Sequence, residues 1–256
     1  MTVEKEGVAN SLSDSEKLAI EELRRPTESI LNQLKPEIDS GAYGVIIGDD
    51  ASGRLPAILL WKILGIVYEK RGYPKPLLRF VAGSTGLAEG TFNFNTKKED
   101  VGRHIGRIRR DVKSDEAPSR LKALIVTDTI ATGESVQMLM NGIKENNWTA
   151  DVATIGLMSP VRFDELQDRW KCKIAVGSKL GLPRVYIDGR NLSGVTKDRN
   201  KLFSSPRRES RYMNFLETAL DPNFTSKEYN FKVRDARKLI DGLAQELAEK
   251  FMGAGK

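Results

Sequence analysis

The stretch LIVTDTIATGES, Leu124–Ser135, decides how this chain is read. Three apolar residues and Thr127 lead into Asp128, and a small, hydroxylated turn with one glycine follows. The pattern predicts a buried strand that delivers a loop to a ligand at the edge of a sheet.

The flanking sequence places that strand in a repeating scheme. YGVIIG, PLLRFVAG, LKALIVT, ADVATIGLM, KCKIAVGS and PRVYIDGR read as strands. LPAILLWKILGIVYEK, SVQMLMNGIKENN and FDELQDRW read as helices between them, with Pro56 near the first turn of its helix. Strands alternating with helices predict crossover connections, hence an α/β fold with a mostly parallel central sheet flanked by helices. Before it, residues 1–38 predict a helical segment, with Ser13 as N-cap and a break at Pro26. The α/β core spans 39–190, and 191–256 is a C-terminal extension. Its last part, 226–252, reads as one long helix with Ala236, Leu239, Ile240, Leu243, Leu247 and Phe251 on one face. No repeat of fixed period is present.

An apolar fraction of 39% supports a real core and excludes a disordered chain. Cys172 is the single cysteine, which excludes an intramolecular disulfide framework and fits a reducing, cytoplasmic setting. The lone His104 supplies no histidine-rich metal site and reads as a surface residue. Neither a signal peptide nor a membrane-spanning run is expected. A net charge of +6 suits nucleic acid and a pocket for polyanionic small molecules equally well.

In a parallel sheet, ligands bind where strand ends meet the following turns and helix N-termini. Two connections have the composition for it. Thr129, Ile130, Ala131, Thr132, Gly133, Glu134 and Ser135 follow Asp128 and run into a helix. Their main-chain N–H groups, with the Thr132 and Ser135 hydroxyls and the helix dipole, suit a phosphate, and Gly133 permits close approach. Neither a Walker loop nor a dinucleotide glycine fingerprint is present. A phosphate turn preceded directly by an acid suits a sugar phosphate, with the carboxylate taking ribose hydroxyls. The second connection is IIGDDASGRLPA, in which Asp50, Ala51, Ser52 and Gly53 present amides and Arg54 adds a fixed positive charge. Between the two, Ser84 to Arg120 reads as a long, charge-rich insert.

Here the chain resembles the type I phosphoribosyltransferases, whose signature for phosphoribosyl diphosphate (PRPP) is an apolar run, an acidic pair and a T-G-x-[T/S] turn. Ile125, Val126, Asp128, Thr132, Gly133 and Ser135 match that signature, while Thr127 stands where the first acid is usual and Glu134 where a small or basic residue is. The resemblance implies a hood domain beside the core, built from the N- and C-terminal helices. It implies that Asp50–Arg54 bind pyrophosphate and that a mobile loop brings Lys97, Lys98 or Arg103 to it. It places Tyr186 and Asp188 on the base side.

The implied reaction is pentosyl transfer, in which a nitrogen nucleophile displaces pyrophosphate from PRPP with Mg2+ as cofactor. Asp128, Thr127 and Arg54 are the expected catalytic residues, and Asp128 also touches the metal indirectly. Ala131 replaces the acid usual in members acting on 6-oxopurines, so hypoxanthine and guanine are not expected as acceptors. PRPP or a nucleoside monophosphate is the expected partner, and a homodimer the expected assembly. Thr127 keeps a second reading open, a catalytically weak or inactive PRPP or nucleotide sensor whose basic segments, Ser84–Arg120 and Ser204–Arg211, contact nucleic acid. A third is another α/β nucleotide-binding enzyme with a similar turn.

Overall fold

The computed structural model describes residues 14–49, 53–83, 92–112, 122–157, 163–179, 183 and 227–253. Ser13, Asp50, Ala51, Ser52, Tyr186, Asp188, most of the strand expected over 183–190 and the basic stretch 204–211 lie outside the described residues.

Five apolar runs form β1 (Tyr43–Asp49), β2 (Leu77–Val81), β3 (Lys122–Ile130), β4 (Ala150–Leu157) and β5 (Ile174–Ser178). They pair in parallel in the order β2-β1-β3-β4-β5. The helices are α1 (Asp14–Glu21), α2 (Arg24–Gln33), α3 (Lys35–Asp39), α4 (Arg54–Arg71), α5 (Phe92–Val112), α6 (Glu134–Glu145), α7 (Phe163–Trp170) and α8 (Lys227–Gly253). A parallel sheet is covered on both faces, so its central strands need not alternate in polarity. All eight residues of β4 are buried accordingly.

Side-chain alternation divides the core in two. Ile46, Leu124, Val126, Ala153 and Ile155 face α2 and α4, with α8 laid across both helices. Val45, Ile47, Ile125, Val152 and Val176 face the side of α5, α6 and α7. Edge strand β5 is covered by α2. Gln33 Nε2 donates to the Val176 carbonyl at 2.7 Å and its Oε1 accepts from the Val176 N–H at 3.1 Å. The amide thus pairs the edge backbone and removes a free pairing site.

Three expectations are corrected. Residues 92–112 of the charge-rich insert form a helix, because Val101, Ile105, Ile108 and Val112 recur on one face and bury against the α6 side of the sheet. Pro26 does not break the N-terminal helices. The break falls at 22–23, and Pro26 is the third residue of α2, where its missing N–H has no intrahelical partner to lose. The terminal helices, expected to build a hood, instead complete one face layer. Ile20, Leu23, Ile30, Leu31, Ile240, Leu243, Leu247 and Phe251 share one core with α4. The single long C-terminal helix itself is as expected, with Lys62–Asp241 and Lys250–Glu28 ion pairs at its margins. Among the described residues no helix is long and apolar enough to cross a membrane.

His104, expected on the surface, is half-buried on α5. Burial, and then Arg107 and Arg79, hold its pKa below the usual 6.5. The unfolded chain therefore takes the proton first as pH falls, so this group's stabilisation is present above about pH 6.5 and is lost through the lowered folded value. Melting between about pH 7.5 and 5.5 should cost the native chain more than His104→Gln, and equal losses would count against this assignment.

Candidate ligand site at the strand ends

Strand order reverses direction at β1 and β3. The helix following β1 covers one face and the helix following β3 covers the other, which opens a crevice at the carboxyl ends of these two strands. Both turns singled out in the sequence begin there.

Gly53 is held directly against β3. A Cβ on it would lie 2.1 Å from the Val126 carbonyl oxygen and 2.8 Å from the Asp49 nitrogen, so no larger residue fits. The Gly53 N–H donates to the Asp49 carbonyl at 2.6 Å, closing the turn, and Gly53 is the N-cap of α4. Arg54 opens that helix. It is largely buried, with its guanidinium carbon 5.3 Å from the centroid of the Phe80 ring on β2. Gly48 leaves room for that ring, since a Cβ there would meet Phe80 at 2.7 Å. Arg54 is thus a fixed charge beneath the turn rather than a surface arm.

β3 runs three residues further than the sequence reading had it, through Ile130. This corrects the extent of the phosphate loop. Ile130 is a core residue on the α6 side, and the turn proper is Ala131–Thr132–Gly133. Ala131, Thr132 and Glu134 are exposed, Ser135 is partly buried, and Gly133 is buried. Gly133 has φ +82° and is the N-cap of α6, and a Cβ there would come within 3.0 Å of Leu166 and 3.2 Å of Trp170. Trp170 is in turn fixed by its Nε1–H, which donates to Gln137 Oε1 at 2.9 Å. The turn is therefore backed by α7, which the sequence reading did not foresee.

The two residues of the expected acidic pair part company. Asp128 is partly exposed, at a strand end where the alternation of Leu124 and Val126 toward α4 no longer holds, since Ile130 of the same parity packs on the α6 side. Thr127 continues the parity of Ile125 and is 1% exposed. Its hydroxyl donates to the Thr129 carbonyl at 3.3 Å. Its register partner Thr154 makes the same bond to the Gly156 carbonyl at 2.8 Å. Thr129 Oγ1 is a buried hydroxyl at these strand ends with no hydrogen-bond partner among the described residues.

The expected loop candidates are not at this crevice. Lys97, Lys98 and Arg103 all lie on α5. Lys98 Nζ pairs with Glu145 at 3.3 Å, and Glu145 is the last residue of α6. That places it about 16 Å along the helix from the phosphate turn, at 1.5 Å per residue. Arg103 is paired with Asp100 and Glu99 and lines a shallow depression with Asn146, just beyond that same far end. The residue the sequence reading missed is Asp49. It is 3% exposed at the end of β1, and its Oδ1 accepts from the Gly83 N–H at 3.2 Å. Its signal was an acid ending an apolar run just before a glycine-bearing turn, as at Asp128.

Depressions lined by described residues occur between α5 and α6 and beside Lys122 and Asp151 at the opposite strand ends. At that opposite end Asp151 is occupied structurally. It accepts from Tyr43 Oη at 2.9 Å, Lys122 Nζ at 3.2 Å and the Lys173 N–H at 3.3 Å. No family model matches this chain, and no curated protein matches it either.

The two glycines differ in what they exclude. Gly53→Ala drives a methyl into a main-chain oxygen and is expected to cost about 3 kcal/mol or more. Gly133→Ala adds a left-handed φ penalty of about 1 kcal/mol to a contact that the Leu166 side chain can relieve. Urea titration of both variants checks the order, and a milder effect at Gly53 would contradict the packing described.

Proposed function

We propose that this chain binds PRPP or a ribose 5-phosphate nucleotide at the β1/β3 strand ends and displaces pyrophosphate with a nitrogen nucleophile, on a fold of the type I phosphoribosyltransferase kind. The observation that carries this reading is the meeting of two glycine-bearing turns at one crevice, with Asp128 between them. The Gly133 turn and the first amides of α6 suit the 5-phosphate, which a helix N-terminus favours. The Gly53 turn, the N-terminus of α4 and the Arg54 charge suit the pyrophosphate. Asp128, partly exposed near the end of β3, would take ribose hydroxyls, and the Thr129 hydroxyl, without a hydrogen-bond partner among the described residues, would donate to the ligand.

The chemistry asked of the protein is positioning and neutralisation. Displacement at the anomeric carbon builds positive charge on the ring and negative charge on the leaving pyrophosphate. Amides and a fixed guanidinium beside the leaving group stabilise that charge without reorganising. Asp128 orients the ring and opposes its developing charge. With Thr127 in place of a second acid, that position supplies no second carboxylate. The loss of one charge-assisted contact is about 1.5–3 kcal/mol, or one to two powers of ten in rate, which slows turnover without abolishing it.

Among the described residues no group of three or more metal-ligating side chains occurs. A Mg2+ ion would then arrive with the ligand's phosphates and keep most of its waters, with Asp128 reaching it indirectly. The cation would supply further neutralisation of the pyrophosphate oxygens. The chain is read as acting in the cytoplasm.

Titration calorimetry with PRPP and Mg2+ tests the reading, and absence of binding would overturn it. Asp128→Asn should weaken binding about tenfold or more. Lys98→Ala and Arg103→Ala, at the far end of α6, should stay within about twofold of the native chain, and a tenfold loss would contradict their placement. Pyrophosphate release should appear with an amine or base acceptor, and hypoxanthine and guanine should give none.

A further inference from the structure

Asp49 combines three features that the roles above do not use. It is a buried acid at the end of a central strand, and its main-chain carbonyl closes the Gly53 turn through the bond at 2.6 Å. Its carboxylate holds the Gly83 N–H, at the start of the segment that follows β2. Gly83 in turn sits on the first turn of α6, where a Cβ would lie 2.3 Å from the Ser135 carbonyl oxygen. One residue thus joins the β1 turn, the post-β2 segment and the helix that carries the phosphate turn.

The sheet register explains why the carboxylate can reach across. Gly48 pairs with Val126, so Asp49 stands beside Thr127 at the next step on the α6 side of the sheet. Thr127 is bonded back to its own strand, at the Thr129 carbonyl. The Asp49 carboxylate reaches toward β2, where Val81 is its register partner and Gly83 follows two residues later.

We infer that Asp49 is a positioning residue of the ligand site, setting the spacing between the Gly53 turn and the Gly133 turn through the Gly83 amide and the first turn of α6. This rests on the reading that both turns grip one phosphorylated ligand. The 5-phosphate and the 1-pyrophosphate of one ribose span a bounded distance, so a shift of either turn loses affinity even when each turn keeps its shape. Asp49 touches no ligand in this account.

The test compares Asp49→Asn, which keeps an acceptor oxygen, with Asp49→Ala, which removes it. Asp49→Val, of similar volume and without an acceptor, stands in where Ala leaves the chain unfolded. Amide hydrogen exchange in the ligand-free protein should speed up at Gly83 and at residues 134–136 in the Ala or Val variant, and stay near native in the Asn variant. PRPP affinity, measured with Mg2+, should fall about tenfold in Ala or Val and remain within about threefold in Asn. Native exchange at Gly83 in the Ala or Val variant overturns the inference, and so does faster exchange with undiminished affinity. If the native chain binds no PRPP, the functional reading fails. The exchange at residues 134–136 then decides the positioning role alone, faster exchange supporting it and native exchange overturning it.

Discussion

The contact of Gly53 with the Val126 carbonyl is the constraint on which the carboxyl end of the sheet depends. It brings the turn after β1 onto the backbone of β3 with no side chain between them. Because α4 begins at the next residue, the N-terminus of that helix is brought to the same point from which Asp128 emerges. A crevice at a switch point follows from strand order, but its closeness here follows from the absence of one Cβ. The same economy recurs at Gly83 against Ser135, so two close backbone approaches border one opening.

Around that opening the protein separates what is rigid from what is available. Gly133 holds a left-handed conformation against Leu166 and Trp170, and Trp170 is pinned through Gln137. Thr127 and Thr154 return their hydroxyls to their own strands, which spares the sheet two unsatisfied buried groups. Exposed polar atoms then come from Thr132 and Glu134, and partly exposed ones from Asp128 and Ser135. Binding groups on the ends of rigid elements keep their geometry better than groups on free loops.

Much of the architecture was legible in the chain. Runs such as YGVIIG and ADVATIGL are too apolar for a one-sided sheet, and their alternation with helical periods leaves only a covered parallel sheet. The charge-rich stretch over 92–112 was misread because its apolar residues are spread one per turn among six basic residues, Lys97, Lys98, Arg103, Arg107, Arg109 and Arg110. Val101, Ile105, Ile108 and Val112 carried the helical signal, and charge density hid it. Residues placed by that reading at the ligand consequently lie at the far end of α6.

By itself, then, the sequence determined the alternating scheme, the two turns that matter and the presence of Asp128 at a strand end, since these depend on local period and on residues with special backbone freedom. Only the tertiary structure decided which neighbour is buried. Thr127 and Asp128 are adjacent in the chain, yet Thr127 is 1% exposed and Asp128 is partly exposed. Asp49 could not be given its place from sequence, because its partner Gly83 comes from a different strand end and the register that aligns them is a long-range pairing.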